Sequence, residues 1–161
     1  NRLAASQGGP SEPQGNEMSA PSHPYRKPSV YVTEADYERL SNLARSRATL
    51  GAALLEDELE RATIIKDGAS PRNFVRLGSF VAFRDLTSGR TRRVQVVLPE
   101  EADIDLDRLS VVTPVGAALI GLKVGDFMGL STEDGRPHVL VVEAVVVLRA
   151  RGERRRPAGN R

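Results

Sequence analysis

The chain has 161 residues, of which 40% are hydrophobic and 27% are charged, with a formal net charge of +2 and no cysteine. That length is sufficient for one or two small domains. The absence of cysteine excludes disulfide frameworks, thiolate metal sites and cysteine nucleophiles, and it is compatible with a cytoplasmic protein. The longest apolar run, residues 139–148, is too short to span a bilayer and contains Glu143, so we predict no membrane association.

Both ends of the chain have compositions that disfavour a core. Residues 1–28 are rich in Pro, Gly, Ser, Asn and Gln, and we expect them to be disordered because they bury too little apolar surface. They lack the apolar region of a signal peptide. Residues 149–161 contain six Arg and one Glu, a net charge of +5, which leaves −3 for residues 1–148. We therefore predict a disordered basic tail on a mildly acidic body.

Residues 29–66 have the pattern of two amphipathic helices. Thr33 followed by Asp36 resembles a capping box, and apolar residues then recur at helical spacing to about Ala48. After a short break, residues 52–65 repeat the pattern. Because the break is short, we predict an antiparallel, coiled-coil-like helical hairpin with arms of about 14 residues, or about 21 Å.

Residues 67–148 are strand-like, with alternating apolar residues and hairpin turn signals. One apolar stretch interrupts this pattern after Thr113 and Pro114, which are residue types that begin helices, and Gly121 ends it. We predict an α+β domain of four or five antiparallel strands with one short helix packed on the sheet. Four apolar side chains of this stretch are assigned to the core: Ala118, Leu119, Ile120 and Val124.

The order of these motifs resembles a known family. The motifs are Glu101-Ala102-Asp103, Leu109-Ser110-Val111, Thr113-Pro114, Ala117-Ala118-Leu119-Ile120-Gly121 and Lys123-Val124-Gly125-Asp126. Together they resemble the C-terminal domain of the Gre transcript-cleavage factors. The version "PVGAALIGLKVGD", with "FRDLTSG" and "ELERA", is more similar still to the branch of the regulator of nucleoside diphosphate kinase, Rnk. The resemblance covers residues 28–148.

The resemblance implies a bacterial protein that binds RNA polymerase. It implies an FKBP-like fold for the C-terminal domain, which docks at the rim of the polymerase secondary channel, and a helical hairpin directed into that channel. The polymerase contact implied by the resemblance lies at the start of the short helix, at Ser110, Thr113, Pro114, Val115 and Gly116.

The predicted hairpin tip departs from the family pattern. Gre factors have a longer hairpin, on whose tip two acidic residues help to hold a catalytic magnesium. The tip here contains Arg45, Arg47 and Thr49 and no carboxylate. Magnesium requires oxygen ligands, usually carboxylates, and arginine repels it. We therefore predict a monomeric, non-enzymatic regulator with no cofactor or metal, which binds polymerase without stimulating cleavage and occludes the channel rim against other factors.

Two alternative functions belong to other classes. Arg154, Arg155 and Arg156 could bind nucleic acid nonspecifically, with strong salt dependence. An FKBP-like prolyl isomerase is conceivable by analogy of fold, but only 4% of the residues are aromatic and none is Trp, which disfavours an aromatic-lined proline pocket.

Three further acidic or histidine features have ordinary structural interpretations. The stretch "DIDLD", residues 103–107, lacks the Gly and Glu of a calcium-binding EF-hand loop, so we interpret it as a solvated acidic loop. The histidines, His23 and His138, are interpreted as solvated or structural. Four acidic residues of the second helix face different directions at helical spacing and are interpreted as a solvated face: Glu56, Asp57, Glu58 and Glu60.

Overall fold

The computed structural model describes residues 27–66 and 73–147. Residues 1–26, with His23, and residues 148–161, with the three consecutive arginines of the basic tail, lie outside the described residues. Our predictions of disorder and of nucleic-acid contact for these segments therefore stay predictions.

The N-terminal segment forms two helices flanked by two short strands: β1 (Tyr31–Thr33), α1 (Glu34–Arg45), α2 (Leu50–Glu60) and β2 (Thr63–Ile65). Thr33 caps α1 as predicted, because its hydroxyl accepts the N–H of Asp36 at 3.2 Å. Thr49 caps α2 in the same way, accepting the N–H of Ala52 at 3.1 Å. The first helix ends at Arg45, three residues before its predicted end at about Ala48.

The predicted second helix is too long at its C-terminal end. Residues 63–65 form β2, which pairs with β1 in parallel register. The N–H of Thr63 donates to the carbonyl of Val30 at 2.8 Å. Thr63, Ile64 and Ile65 are β-branched, and such side chains favour extended backbone. A strand partner that is distant in sequence thus overrides the helical periodicity.

The second segment forms a five-stranded sheet with the order β5-β4-β3-β7-β6. Its elements are β3 (Phe80–Asp85), β4 (Arg90–Val97), β5 (Arg108–Ser110), α3 (Pro114–Leu119), β6 (Phe127–Ser131) and β7 (Pro137–Val146). All neighbouring strands are antiparallel except β4 and β5, which are parallel, so the prediction of a fully antiparallel sheet is wrong at β5. A parallel neighbour requires a crossover connection, and residues 98–107 supply one through two short 3₁₀ turns.

The short apolar helix begins and ends as predicted. The hydroxyl of Thr113 accepts the N–H of Gly116 at 3.1 Å, and Pro114 occupies the first helical position. Gly121, with φ of 82°, follows the helix in the left-handed region that favours glycine. Three of the four apolar side chains assigned to the core are buried. Val124 is 55% exposed, because it lies in a turn in which the Asp126 carboxylate accepts the N–H of Lys123 at 2.9 Å.

The hydrophobic core draws residues from both segments. Val30, Leu40 and Leu55 belong to the same cluster of buried side chains as Val96 and Leu119. The two segments also approach each other closely at Gly51 of α2. The division into units at 29–66 and 67–148 stays a prediction, but their apolar surfaces are buried in common.

Candidate docking surface

The five residues predicted to contact polymerase form one edge at the start of α3, which we call the α3 edge. The hydroxyl of Thr113 donates to the carbonyl of Ser110 at 2.7 Å, so the helix cap also fixes the end of β5. Ser110, Thr113, Pro114 and Val115 are half-buried and reach the surface. Gly116 is buried, and a methyl group on it would stand 2.2 Å from the carbonyl oxygen of Ser110. Gly116 therefore shapes this edge and does not reach its surface.

A shallow, open hollow of about 540 Å³ lies beside the α3 edge. Its walls combine the α3 edge with the turn between β6 and β7, and they are lined by Leu109, Thr113, Pro114, Val115, Thr132, Glu133, Asp134 and His138. The sequence predicts the β6–β7 turn, but nothing in its local pattern places that turn against α3. That placement depends on the strand order, which puts β6 at the edge of the sheet.

The acidic rim of the hollow is fixed by its own hydrogen bonds. The N–H of Arg136 donates to the Asp134 carboxylate at 3.1 Å, and the hydroxyl of Thr132 also donates to it. These two bonds, that of Thr132 first, lower the pKa of the Asp134 carboxyl below its usual value. The side chain of Arg136 also pairs with Asp134 at 3.5 Å, so the rim presents a charged ion pair beside the apolar surface of Pro114 and Val115.

His138 lines the hollow and is held by a carboxylate. Its Nδ1 lies 2.9 Å from Oδ2 of Asp85, at the end of β3, and the two side chains are only 24% and 17% exposed. The N–H of Thr87 and the hydroxyl of Ser88 donate to the same carboxylate. Burial acts to raise the pKa of Asp85, but the bonds to His138, Thr87 and Ser88 outweigh it, so the pKa is lowered.

The Ser88, Asp85 and His138 group is not arranged for nucleophilic catalysis. In a catalytic triad the histidine lies between the serine and the carboxylate and removes the proton of the serine. Here the carboxylate of Asp85 lies in the middle and accepts the hydroxyl of Ser88. The structural interpretation of His138 therefore agrees with its contacts, which connect β7 to the end of β3.

The connection between α1 and α2 lies next to the α3 edge. All residues from 45 to 50 are exposed, including Arg45, Arg47 and Thr49. The first turn of α2 packs against the backbone that leads into α3: a methyl group on Gly51 would stand 1.7 Å from the carbonyl oxygen of Val112. The start of α2, which follows the predicted hairpin-tip residues, is therefore packed against the backbone that leads into the α3 edge. We call residues 45–50 and the α3 edge together the composite surface.

Comparison with known proteins gives the family. Residues 28–65 match the family model of the Rnk N-terminus, and residues 70–145 match that of the transcription elongation factor GreA/GreB C-terminal region. The regulator of nucleoside diphosphate kinase of Escherichia coli strain K12 is 35% identical over 121 residues, 73% of this chain and 89% of that protein. The chain belongs to the Rnk family. The resemblance recognised in the sequence is thereby confirmed.

The Rnk-family chain is also similar to transcription factors. Transcription elongation factor GreA of Thermotoga neapolitana is 33% identical over 111 residues, 68% of this chain and 69% of that protein. Transcription inhibitor protein Gfh1 of Thermus thermophilus is 43% identical over 91 residues, 55% of this chain and 56% of that protein.

A solved structure supports the fold. The prokaryotic transcription elongation factor GreA/GreB from Nitrosomonas europaea superposes with a TM-score of 0.60 at 30% identity, covering 75% of this chain and 100% of that chain. The α+β fold class, with a structural neighbour among Gre factors, is therefore confirmed for the Rnk-family chain.

The acidic residues of α2 do not form a metal centre in this Rnk-family chain. Glu56, Asp57 and Glu60 are exposed, but the prediction of a solvated face is wrong for Glu58, which is 5% exposed. Glu58 pairs with Arg61 and, at 3.5 Å, with Lys27. Within residues 27–66 and 73–147, no group of three or more His, Cys, Asp or Glu side chains is placed to hold a metal ion.

Across the same described ranges, every helix is too short or too polar to cross a membrane.

Proposed function

We propose that this Rnk-family chain is a transcription regulator that binds bacterial RNA polymerase through the composite surface. The observation that carries the proposal is the adjacency of the α1–α2 connection and the α3 edge, in a chain whose relatives include a transcription elongation factor and a transcription inhibitor.

The proposal includes the finer features implied by the family resemblance. The helices α1 and α2 act as a short antiparallel hairpin, the sheet with α3 acts as an FKBP-like docking domain, and the composite surface meets the rim of the secondary channel. The surface suits protein docking, because an apolar centre of Leu109, Pro114 and Val115 is bordered by fixed charge. The protein acts as a cytoplasmic monomer.

We further propose that the chain does not stimulate transcript cleavage and is not an enzyme. A catalytic magnesium ion held at the hairpin tip would need carboxylate ligands from the helix connection. Residues 45–50 supply two arginines and no carboxylate. The chain is therefore suited to occupying the channel rim in competition with cleavage factors.

The first test measures binding to purified bacterial core RNA polymerase by wild type and by Pro114→Asp, which places an acid in the apolar centre of the hollow. Asp is well tolerated in the first turn of a helix, so the variant should fold. Val124→Asp is the matched control, because Val124 also reaches the surface but lies beyond the other end of α3. We expect Pro114→Asp to lose binding and Val124→Asp to retain it.

The second test adds the chain to a backtracked elongation complex, with and without a Gre cleavage factor. We expect no cleavage from the chain alone and slower cleavage by the Gre factor in its presence. If wild type does not bind polymerase, or if binding disappears when the chain is ended after Val147, the composite surface is not the docking site. Cleavage by the chain alone would contradict the argument from the missing carboxylates.

A further inference from the structure

A groove of about 410 Å³ crosses the face of the sheet that points away from the core, and it shares no lining residue with the hollow beside the α3 edge. Side chains of a strand alternate between the two faces of a sheet, so Phe80 and Ala82 face the groove while Val81 and Phe83 are buried in the core. The groove is lined in part by exposed apolar side chains. Phe80 is 44% exposed, Leu106 58% and Val146 55%.

The described chain ends beside this groove. Strand β7 ends at Val146, which lines the groove and lies opposite Phe80 of β3. Phe80 in turn lies opposite Gln95 of β4, and Gln95 lies beside Arg108 of β5. Neighbouring strands are about 4.8 Å apart. Three such steps, about 14 Å in total, separate the end of β7 from the start of β5.

An acidic loop borders the far side of the groove. It consists of residues 98–107, and its five carboxylates are all exposed; they belong to Glu100, Glu101, Asp103, Asp105 and Asp107. Asp107 also lines the groove itself. The segment that follows β7 has the opposite charge, since residues 149–161 sum to +5. An extended chain advances about 3.3 Å per residue, so about five residues beyond Val147 are sufficient to cross the groove to this loop.

We propose that residues 148–156 lie across this groove in the same molecule. Leu148 packs against the apolar lining next to Val146, and Arg154, Arg155 and Arg156 pair with the acidic loop. Each exposed ion pair contributes little by itself. Tethering gives the tail a high effective concentration at the loop, and several pairs then act together. The loop carboxylates thereby compete with nucleic-acid phosphates for the same arginines.

The absence of cysteine makes a direct test possible in the full chain. Gly152→Cys provides one attachment point for a nitroxide spin label, and amide signals near the label lose intensity in NMR spectra. We expect the amides of Phe80, Leu106 and Asp107 to lose more than half of their intensity. The amides of Thr87 and Gly89, in the turn at the opposite end of β3 and β4, should keep theirs.

Two changes test whether the tail is held at the groove by charge. Raising the ionic strength from about 0.1 M to about 1 M shortens the screening length from about 10 Å to about 3 Å and should remove most of the effect. Asp105→Asn with Asp107→Asn should also remove it; Asn tolerates the left-handed conformation of Asp107, whose φ is 55°. Glu56→Gln with Asp57→Asn removes the same charge from α2 and should leave the effect unchanged.

Three results would overturn the proposal. The first is intensity loss at the groove that does not exceed the loss at Thr87 and Gly89. The second is a loss that persists unchanged when Asp105 and Asp107 are neutralised. The third is a loss that occurs only between spin-labelled and isotope-labelled chains mixed in one sample, which would assign the groove to the tail of a second copy. None of these results depends on whether the chain binds polymerase.

Discussion

Gly51 lies where the two segments of the chain approach each other closely. A methyl group at this position would stand 1.7 Å from the carbonyl oxygen of Val112 and 2.8 Å from the carbonyl carbon of Thr113. Both contacts are with backbone, so no change of side-chain rotamer relieves them. The first turn of α2 and the backbone that leads into α3 must therefore separate if Gly51 gains a side chain.

We expect Gly51→Ala to destabilise the protein, although alanine is the better helix former by about 1 kcal/mol. Forced backbone shifts in a packed site cost about 1–3 kcal/mol, and the clash is severe enough to outweigh the gain in propensity. Urea unfolding measures the difference. Gly129→Ala is the matched control, because the nearest atom to its new methyl group would be 3.9 Å away. Equal stability of Gly51→Ala and wild type would show that the two segments separate without penalty.

The success of sequence-based prediction for single residues follows the range of the interactions involved. Thr33, Thr113 and Pro114 were assigned correctly, because a helix cap is determined by hydrogen bonds within three residues. Glu58 was assigned wrongly, and so was Val124, which is an exception to this rule because its exposure follows from a local turn. The buried carboxylate of Glu58 forms ion pairs with Lys27 and Arg61. Because Lys27 is 31 residues away in sequence, the local pattern does not indicate this burial.

Helix α3 has only six residues, fewer than an isolated helix needs to be stable in water. Its first turn depends on Thr113, whose hydroxyl accepts from Gly116 and donates to the carbonyl of Ser110. The same bonds set the position of Pro114 and Val115 on the α3 edge. The cap therefore connects the stability of this helix to the shape of the proposed docking site.

We expect Thr113→Ala to lower the free energy of unfolding by about 1 kcal/mol, the usual contribution of an N-cap, and to weaken polymerase binding. Thr113→Ser keeps the hydroxyl and should retain most of both properties. Chemical unfolding and a polymerase binding assay on the three proteins provide the comparison. If Thr113→Ser binds as weakly as Thr113→Ala, the threonine methyl group is itself the contact and the cap does not determine binding.

Strand partners that are not joined by a hairpin turn could not be predicted from the sequence. The alternation of apolar residues indicates β3, β4 and β7, but it does not contain the parallel register of β5 on β4 or the pairing of β2 with β1. Both pairings join residues brought together by a connection of at least ten residues. For the same reason the sequence identified the α3 edge but not the β6–β7 turn that completes the hollow beside it.

The shared core determines how the whole molecule should unfold. Leu55, in α2, is fully buried in the same cluster as Val81 and Val94 of the sheet. Small domains with one core usually unfold in a single cooperative transition. Although the sequence suggests separate units at 29–66 and 67–148, the packing predicts that damage to either segment is transmitted to the other.

We expect Leu55→Ala to destabilise the sheet as much as the helices, by about 2–5 kcal/mol, the usual cost of such a cavity. Fluorescence reports on the N-terminal segment, because all three tyrosines lie at or before Tyr37 and there is no Trp. Amide hydrogen exchange at Val81 and Val94 reports on the sheet. The free energy of unfolding measured by each probe should fall by the same amount. Val124→Ala, at an exposed position, should change that free energy by no more than about 0.5 kcal/mol. If the tyrosine signal is lost earlier while exchange in the sheet is unchanged, the two segments are independent units that merely touch.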